Sequence, residues 1–326
     1  MSWKPWRLVL PASVLALGFA VLDGQQPKTA GAPQDTGAIF RTETRLMVCH
    51  TTVLDKAGHL VTNLKQDAFS VFENDVKQDM LLFKHEDIPV SMGLIIDNSG
   101  SMRAKRTSVE AAALALVKDS NPDDEVFIVN FNDDAFIDNP HGKEFLTNIE
   151  EMQEALTRID SRGGTAMRTA IDRSIDWLKK AHKDKKVLVV VTDGVDNASD
   201  VSLEDLVKDA RQSEVLIYAV GLLTEEEKRS AASAKRQLNA LTEATGGATF
   251  YPKELSEVDP IAHQVARDIR SQYTIGYKPS NDALDGTYRK IKVMVKAPGN
   301  PIPRTRTGYY ATADQGAAPA ARGKDK

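Results

Sequence analysis

The chain has 326 residues, 41% of them hydrophobic and 27% charged, with a formal net charge of −4 at neutral pH; that is length enough for two domains and apolar content enough for an ordinary core. The slight acidity, and a sequence without a Lys/Arg stripe interleaved with aromatics, exclude a nucleic-acid-binding footprint. A single cysteine, Cys49, excludes an intrachain disulfide, and its setting in Leu46-Met47-Val48-Cys49 reads as a small buried hydrophobe in a strand.

The N-terminus, Met1-Ser2-Trp3-Lys4-Pro5-Trp6-Arg7 followed by an apolar stretch from Leu8 to Leu22, has the charged and hydrophobic regions of a secretory signal peptide. The stretch is shorter than the roughly 20 apolar residues that span a bilayer, and Gly18 and Ala20 supply small residues for cleavage after Ala20. Residues 1–20 are therefore expected to be a signal peptide, and the mature chain an exported protein, periplasmic or secreted, with no membrane span. Residues 21–37, rich in Gln, Pro, Gly and Ala, read as a linker, and residues 313–326 as a disordered tail.

From 38 to 90 the signals are those of short strands: Arg45 to Leu54, a turn at Asp55-Lys56-Ala57-Gly58, then His59-Leu60-Val61, Phe69 to Glu73 and Met80 to Phe83. About 50 residues are too few to bury a sandwich core alone. Further strands are expected at the other end of the chain, at Tyr273 to Tyr277, Lys290 to Lys296 and Arg304 to Ala311. The expectation is one antiparallel β-sandwich made of residues 38–90 and 271–312, with another domain, 91–270, inserted between its halves.

The middle segment alternates strand and helix, which predicts an α/β fold with a mostly parallel sheet covered on both faces. Strands are expected at Ser91–Asp97, Glu125–Asn132, Lys186–Asp193, Glu214–Gly221 and Ala248–Pro252, with a short edge strand at Ala135–Asp138. Apolar residues at helical spacing, Val109, Ala112, Ala113, Leu116 and Val117, then Met167, Ala170, Ile171, Ile175 and Leu178, are core positions. Leu238 and Leu241 precede the stop Gly246-Gly247, and Asp259-Pro260 starts a last helix.

Three loops of this segment carry the chemistry. Asp97-Asn98-Ser99-Gly100-Ser101 sits where a strand gives way to a helix, Gly163-Gly164-Thr165 opens another helix, and Thr192-Asp193-Gly194 closes the strand Val187 to Val191. They offer hard oxygen ligands without thiolate or imidazole, a set that suits Mg2+ or Mn2+. In an open parallel sheet such a site lies beyond the carboxyl ends of the strands, where the winding reverses.

In order and placement, the Asp-x-Ser-x-Ser, Thr and Thr-Asp-Gly elements resemble the metal-ion-dependent adhesion site of a von Willebrand factor A domain, over roughly residues 90 to 270. The resemblance implies a Rossmann-like, doubly wound sheet. It implies direct ligation by Ser99 and Ser101, ligation by Thr165 directly or through water, and Asp97 and Asp193 acting mainly through waters. It further implies a water-orienting role for Asp133 or Asp134, and metal-dependent binding of a protein partner that presents an Asp or Glu. The order of Asp67-Ala68-Phe69-Ser70-Val71-Phe72-Glu73, Asp-Asn-Ser-Gly-Ser-Met and Gln272-Tyr273-Thr274-Ile275-Gly276-Tyr277 also resembles exported bacterial von Willebrand factor A-related proteins common in Acidobacteria.

Two other readings compete. Ser99 and Ser101 are good helix-capping residues, as a metal-free scaffold would require, although capping explains neither Thr165 nor Asp193. A metal-assisted hydrolase would use Asp97 as nucleophile and Asp193 as a metal ligand. The six His are scattered, and the sequence has no HExxH pair, GxSxG elbow or P-loop, so a non-enzymatic role is expected.

Overall fold

Three sheets organise the chain, which the computed structural model describes over residues 46–312 apart from 141, 158–160 and 224–227. The expected signal peptide, linker and tail lie outside the described residues. Strands β1 (Met47–Leu54), β2 (Phe69–Glu73), β3 (Val76–Gln78) and β4 (Met80–Lys84) lead into β5 (Val90–Asp97), where strand and helix begin to alternate. The alternating segment continues through α1 (Arg106–Lys118), β6 (Glu125–Phe131), β7 (Ala135–Ile137), α2 (Ile149–Leu156), α3 (Met167–Trp177), β8 (Lys185–Thr192) and α4 (Leu203–Gln212). It ends with β9 (Leu216–Gly221), α5 (Lys228–Thr245), β10 (Thr249–Phe250) and α6 (Val258–Arg270), and the chain then adds β11 (Tyr273–Tyr277), β12 (Tyr288–Val295), β13 (Ile302–Arg304) and β14 (Gly308–Tyr310).

The central sheet has six strands in the order β10-β9-β8-β5-β6-β7. All are parallel except β7, which runs antiparallel to β6 at the edge. Every residue of β5, β6 and β9 is buried, which is why these segments read as near-continuous apolar runs. Met92, Leu94 and Ile96 of β5 face a core shared with α1, α2 and α6, while Ile95 faces a second core built with α3, α4 and α5. The doubly wound arrangement expected from the sequence is therefore present.

Two four-stranded antiparallel sheets, β13-β1-β11-β4 and β14-β12-β2-β3, make up the rest. Each mixes strands from both sides of the insert: β1 pairs with β11 and β13, and β12 pairs with β2 and β14. Their facing residues, among them Met47, Cys49, Val71, Ile275 and Val293, form a third core. Phe69 packs its ring 4.9 Å from Tyr273 and 5.1 Å from Phe83. Glu73 also points inward, and its Oε2 accepts hydrogen bonds from Tyr277 Oη at 2.8 Å and Tyr309 Oη at 2.9 Å. Those phenols are how the core accommodates a carboxylate.

His59-Leu60-Val61 does not form the expected strand. Asp55 Oδ1 accepts the backbone N–H groups of Ala57 and His59, curling the chain, and only an isolated Leu54–Leu60 bridge remains. The last helix begins at Val258 rather than Pro260; the proline sits within the first turn, where its missing N–H leaves no helical bond unmade. Helices α2 and α4 were not among the expected elements.

Insert and sandwich are stitched together around the end of α6. Arg270 bonds Asp87 just ahead of β5 as well as the Asp119 carbonyl, while within the insert Lys185 Nζ donates to the Ile269 carbonyl at 2.5 Å. Arg304 of β13 pairs with the buried Asp268, and Gln272 donates to Thr52 and Tyr218 hydroxyls.

Candidate metal centre

From β5 the chain winds first to β6 on one side and later returns to β8 on the other, so the reversal falls between β5 and β8. The register Ile96 to Val191 brings Asp97 and the Thr192-Asp193 pair out side by side at the carboxyl ends of the two strands. Asp97 is buried, its Oδ1 accepting Ser99 N–H at 2.7 Å and its Oδ2 accepting the Thr192 hydroxyl at 2.6 Å. Burial pushes its pKa up to about 6 despite these hydrogen bonds, with the Asp193 charge adding to the rise. A carboxylate so desolvated, beside a second one, is stabilised in its charged form by a cation.

Ser99 Oγ lies 3.2 Å from Ser101 Oγ, which donates to Asp193 Oδ1 at 2.7 Å. Neighbouring ligands of an octahedral Mg2+ with bonds of 2.0–2.1 Å are about 3 Å apart, so the two serine hydroxyls have the spacing of adjacent octahedral corners, with Asp193 hydrogen-bonded to one of them. The other oxygen of Asp193 is held by the ammonium of Lys105, a residue that sequence reasoning did not single out. Thr165 arrives from across the crevice. Its N–H donates to Asn197 Oδ1 at 2.9 Å while its carbonyl accepts Asn197 N–H at 3.0 Å, and its hydroxyl would lie 3.2 Å from a Cβ placed on Gly194.

The two candidate water-orienting carboxylates separate. Asp133 Oδ1 accepts Gly164 N–H at 2.7 Å, and Gly163 adopts φ +74°, with a built Cβ only 2.0 Å from Asp133 Oδ2. That loop therefore closes over Asp133 only because glycine leaves room. Asp134 turns away and pairs with Arg173 of α3 at 2.8 Å, so the sheet places Asp133, and not Asp134, beside the glycine loop. Asp196 caps α3 from outside its own segment, accepting Arg168 N–H at 2.6 Å and pairing with the Arg168 guanidinium at 3.2 Å. It went unrecognised in the sequence because the helix it caps lies upstream of it.

Among the described residues, no group of three or more His, Cys, Asp and Glu side chains is gathered to hold a metal. The crevice instead combines two carboxylates with three hydroxyls. Few formal charges and several neutral oxygens form a donor set that fits a hard divalent cation and leaves part of its charge uncompensated.

The family model of the von Willebrand factor type A domain matches residues 92–264. Two curated relatives share shorter stretches: inter-alpha-trypsin inhibitor heavy chain H4 of Bos taurus, 24% identical over 135 residues, and integrin alpha-11 of Mus musculus, 34% identical over 104 residues. These cover 39% and 30% of this chain but only 15% and 8% of those proteins. Among solved structures, a von Willebrand factor type A protein from Catenulispora acidiphila aligns with a TM-score of 0.49 and 13% identity, over 83% of this chain and 74% of that one. The vWF domain of the type V pili tip protein Mfa5 from Porphyromonas gingivalis aligns at 0.45 and 12%, over 56% of this chain and 97% of that one.

Proposed function

We propose that this chain, which belongs to the von Willebrand factor type A domain family, is an exported module that binds a protein partner through Mg2+ or Mn2+ held by Asp97, Ser99, Ser101, Thr165 and Asp193. The observation that carries the reading is the pair of hydroxyls Ser99 Oγ and Ser101 Oγ, 3.2 Å apart over the β5–β8 crevice with the Asp97 and Asp193 carboxylates hydrogen-bonded to that turn. The ion would supply a positive centre with a coordination position open to an Asp or Glu of the partner. Asp97 fixes the Ser99 turn through its backbone N–H, Thr192 orients Asp97, and Asn197 anchors Thr165 at the rim. Ser101, with Asp133 and Gly163 beside it, is exposed at the mouth of the crevice, whereas Asp97, Ser99 and Thr165 lie buried beneath it.

The stretch shared with an integrin chain favours a binding module over a catalyst. A hydrolase would need Asp97 free as nucleophile, whereas both its oxygens are engaged. Export rests on the sequence of residues 1–22; no helix among the described residues is long and apolar enough to cross a membrane.

One observation favours the metal-free scaffold: Ser101, Asp193 and Lys105 already satisfy one another. Calorimetric titration of Mg2+ and Mn2+ into EDTA-stripped protein separates the two readings. Saturable binding at one site, abolished by Asp97→Ala with Ser99→Ala, is the expected result. Heats of dilution alone in the wild type would leave the scaffold.

A further inference from the structure

Lys105 stands where helix electrostatics disfavour it. The segment from Gly100 to Ala104 forms a 3-10 turn that runs through Lys105 into α1, so Arg103, Lys105 and Arg106 gather at the positive end of a helix. Two of the three are committed away from the crevice: Arg103 donates to the Ser161 carbonyl at 3.0 Å, and Arg106 bonds Glu110 and the Leu156 carbonyl. Lys105 alone turns into the site, where its ammonium pairs with Asp193 Oδ2. The pair is largely withdrawn from solvent, with the Asp193 side chain 1% exposed and that of Lys105 19%, so solvent screens it less than a surface pair.

Asp193 thus uses one oxygen toward the Ser99–Ser101 run and the other toward a built-in cation. Asp97 and Asp193 together would neutralise a divalent ion; with the ammonium counted, the filled site keeps one net positive charge. We propose that Lys105 is a resident counter-cation of this site. It holds Asp193 in place, weakens the site for divalent cations, and leaves the loaded site positive enough to attract an anionic group. The inference rests on the metal-binding reading above and adds to it a residue that sets the affinity.

The test is calorimetric titration of Mn2+ alone into the full mature chain and four variants. Lys105→Ala and Lys105→Gln are expected to bind Mn2+ roughly tenfold more tightly than wild type, the order expected for one unit charge within a few ångströms of a divalent ion even at the dielectric constant of water. Lys105→Arg, which keeps the charge, and Lys118→Ala, which removes one charge at the far end of α1, are expected to stay near wild type. Circular dichroism confirms that each variant is folded. Wild-type binding with equal or weaker binding in both Lys105→Ala and Lys105→Gln overturns the counter-cation role and leaves the metal site standing. Tightening by Lys118→Ala to the same degree would reduce the effect to net charge and also overturn it. No binding in any of the five proteins would sink the metal reading, and this inference with it.

Discussion

Lys185 opens β8 at the end of the sheet opposite the candidate metal centre, 3% exposed, with its Nζ on the Ile269 carbonyl. Burial pushes its pKa down to about 7, against the opposing pull of Asp87 and Asp124. The unfolded chain holds this proton up to about pH 10.4. Between about pH 7 and that value the unfolded state therefore binds more protons than the folded one, and stability rises with pH. Urea unfolding is expected to show wild type gaining about 2 kcal/mol on Lys185→Met between pH 7 and pH 9, since each unit of pH within the window is worth about 1.4 kcal/mol; parallel pH profiles would contradict the burial argument. The contrast with the candidate metal centre shows what can be read locally. Asp97, Ser99 and Ser101 were legible because one turn brings them together, and Thr165 and Asp193 because each follows a recognisable glycine or strand signal. Lys105 was not, since its partner lies 88 residues away, nor was Glu73, whose two phenol donors come more than 200 residues later. Adjacent Asp133 and Asp134 look alike in sequence and differ only in which way the turn aims them.

At the scale of elements, α6 is the piece that joins the core of the insert to the sandwich strands. Its inner face packs on the central sheet through Ala262, Val265 and Ile269, and its last turn is tied to the sandwich by the Asp268–Arg304 pair. Asp268 is 1% exposed and burial raises its pKa, with the Arg304 charge pulling the other way. Removing the guanidinium strands a buried carboxylate, so Arg304→Ala is expected to destabilise the protein by about 3 kcal/mol in urea. The double variant Arg304→Leu with Asp268→Leu is expected to recover most of that loss. A loss under about 0.5 kcal/mol for Arg304→Ala would mean that the junction carries no such strapping. The parallel strands were readable because burial on both faces makes them continuous apolar runs. Helices α2 and α4 were not: α2 is only eight residues long, and α4 buries only Leu206 and Ala210 among many charges. His59 to Val61 misled in the opposite sense, since the Asp55 side chain took the His59 N–H and only Val61 N–H still reaches back to the Val53 carbonyl.

For the whole molecule, the sandwich holds together only because the insert returns the chain to where it left. β4 and β11 are hydrogen-bonded neighbours although the entire α/β segment lies between them in sequence. The alternation at Lys290 to Lys296 and the strand signals at 45–54 and 69–83 made a shared sandwich a reasonable inference, but the strand order within its two sheets had no counterpart in the sequence. The same geometry points the loops of the candidate site away from the sandwich: Asp97 and Thr192 close the far ends of β5 and β8, whereas Val90 and Lys185 begin those strands beside α6 and the sandwich junction. A partner can therefore approach the crevice from the side that the sandwich leaves open. The most direct test is anomalous scattering from crystals of the mature protein soaked in Mn2+. A single strong peak in the β5–β8 crevice, about 2.1 Å from Ser99 Oγ and Ser101 Oγ, is the predicted result. An empty crevice at saturating Mn2+, with Lys105 still paired to Asp193, would contradict it.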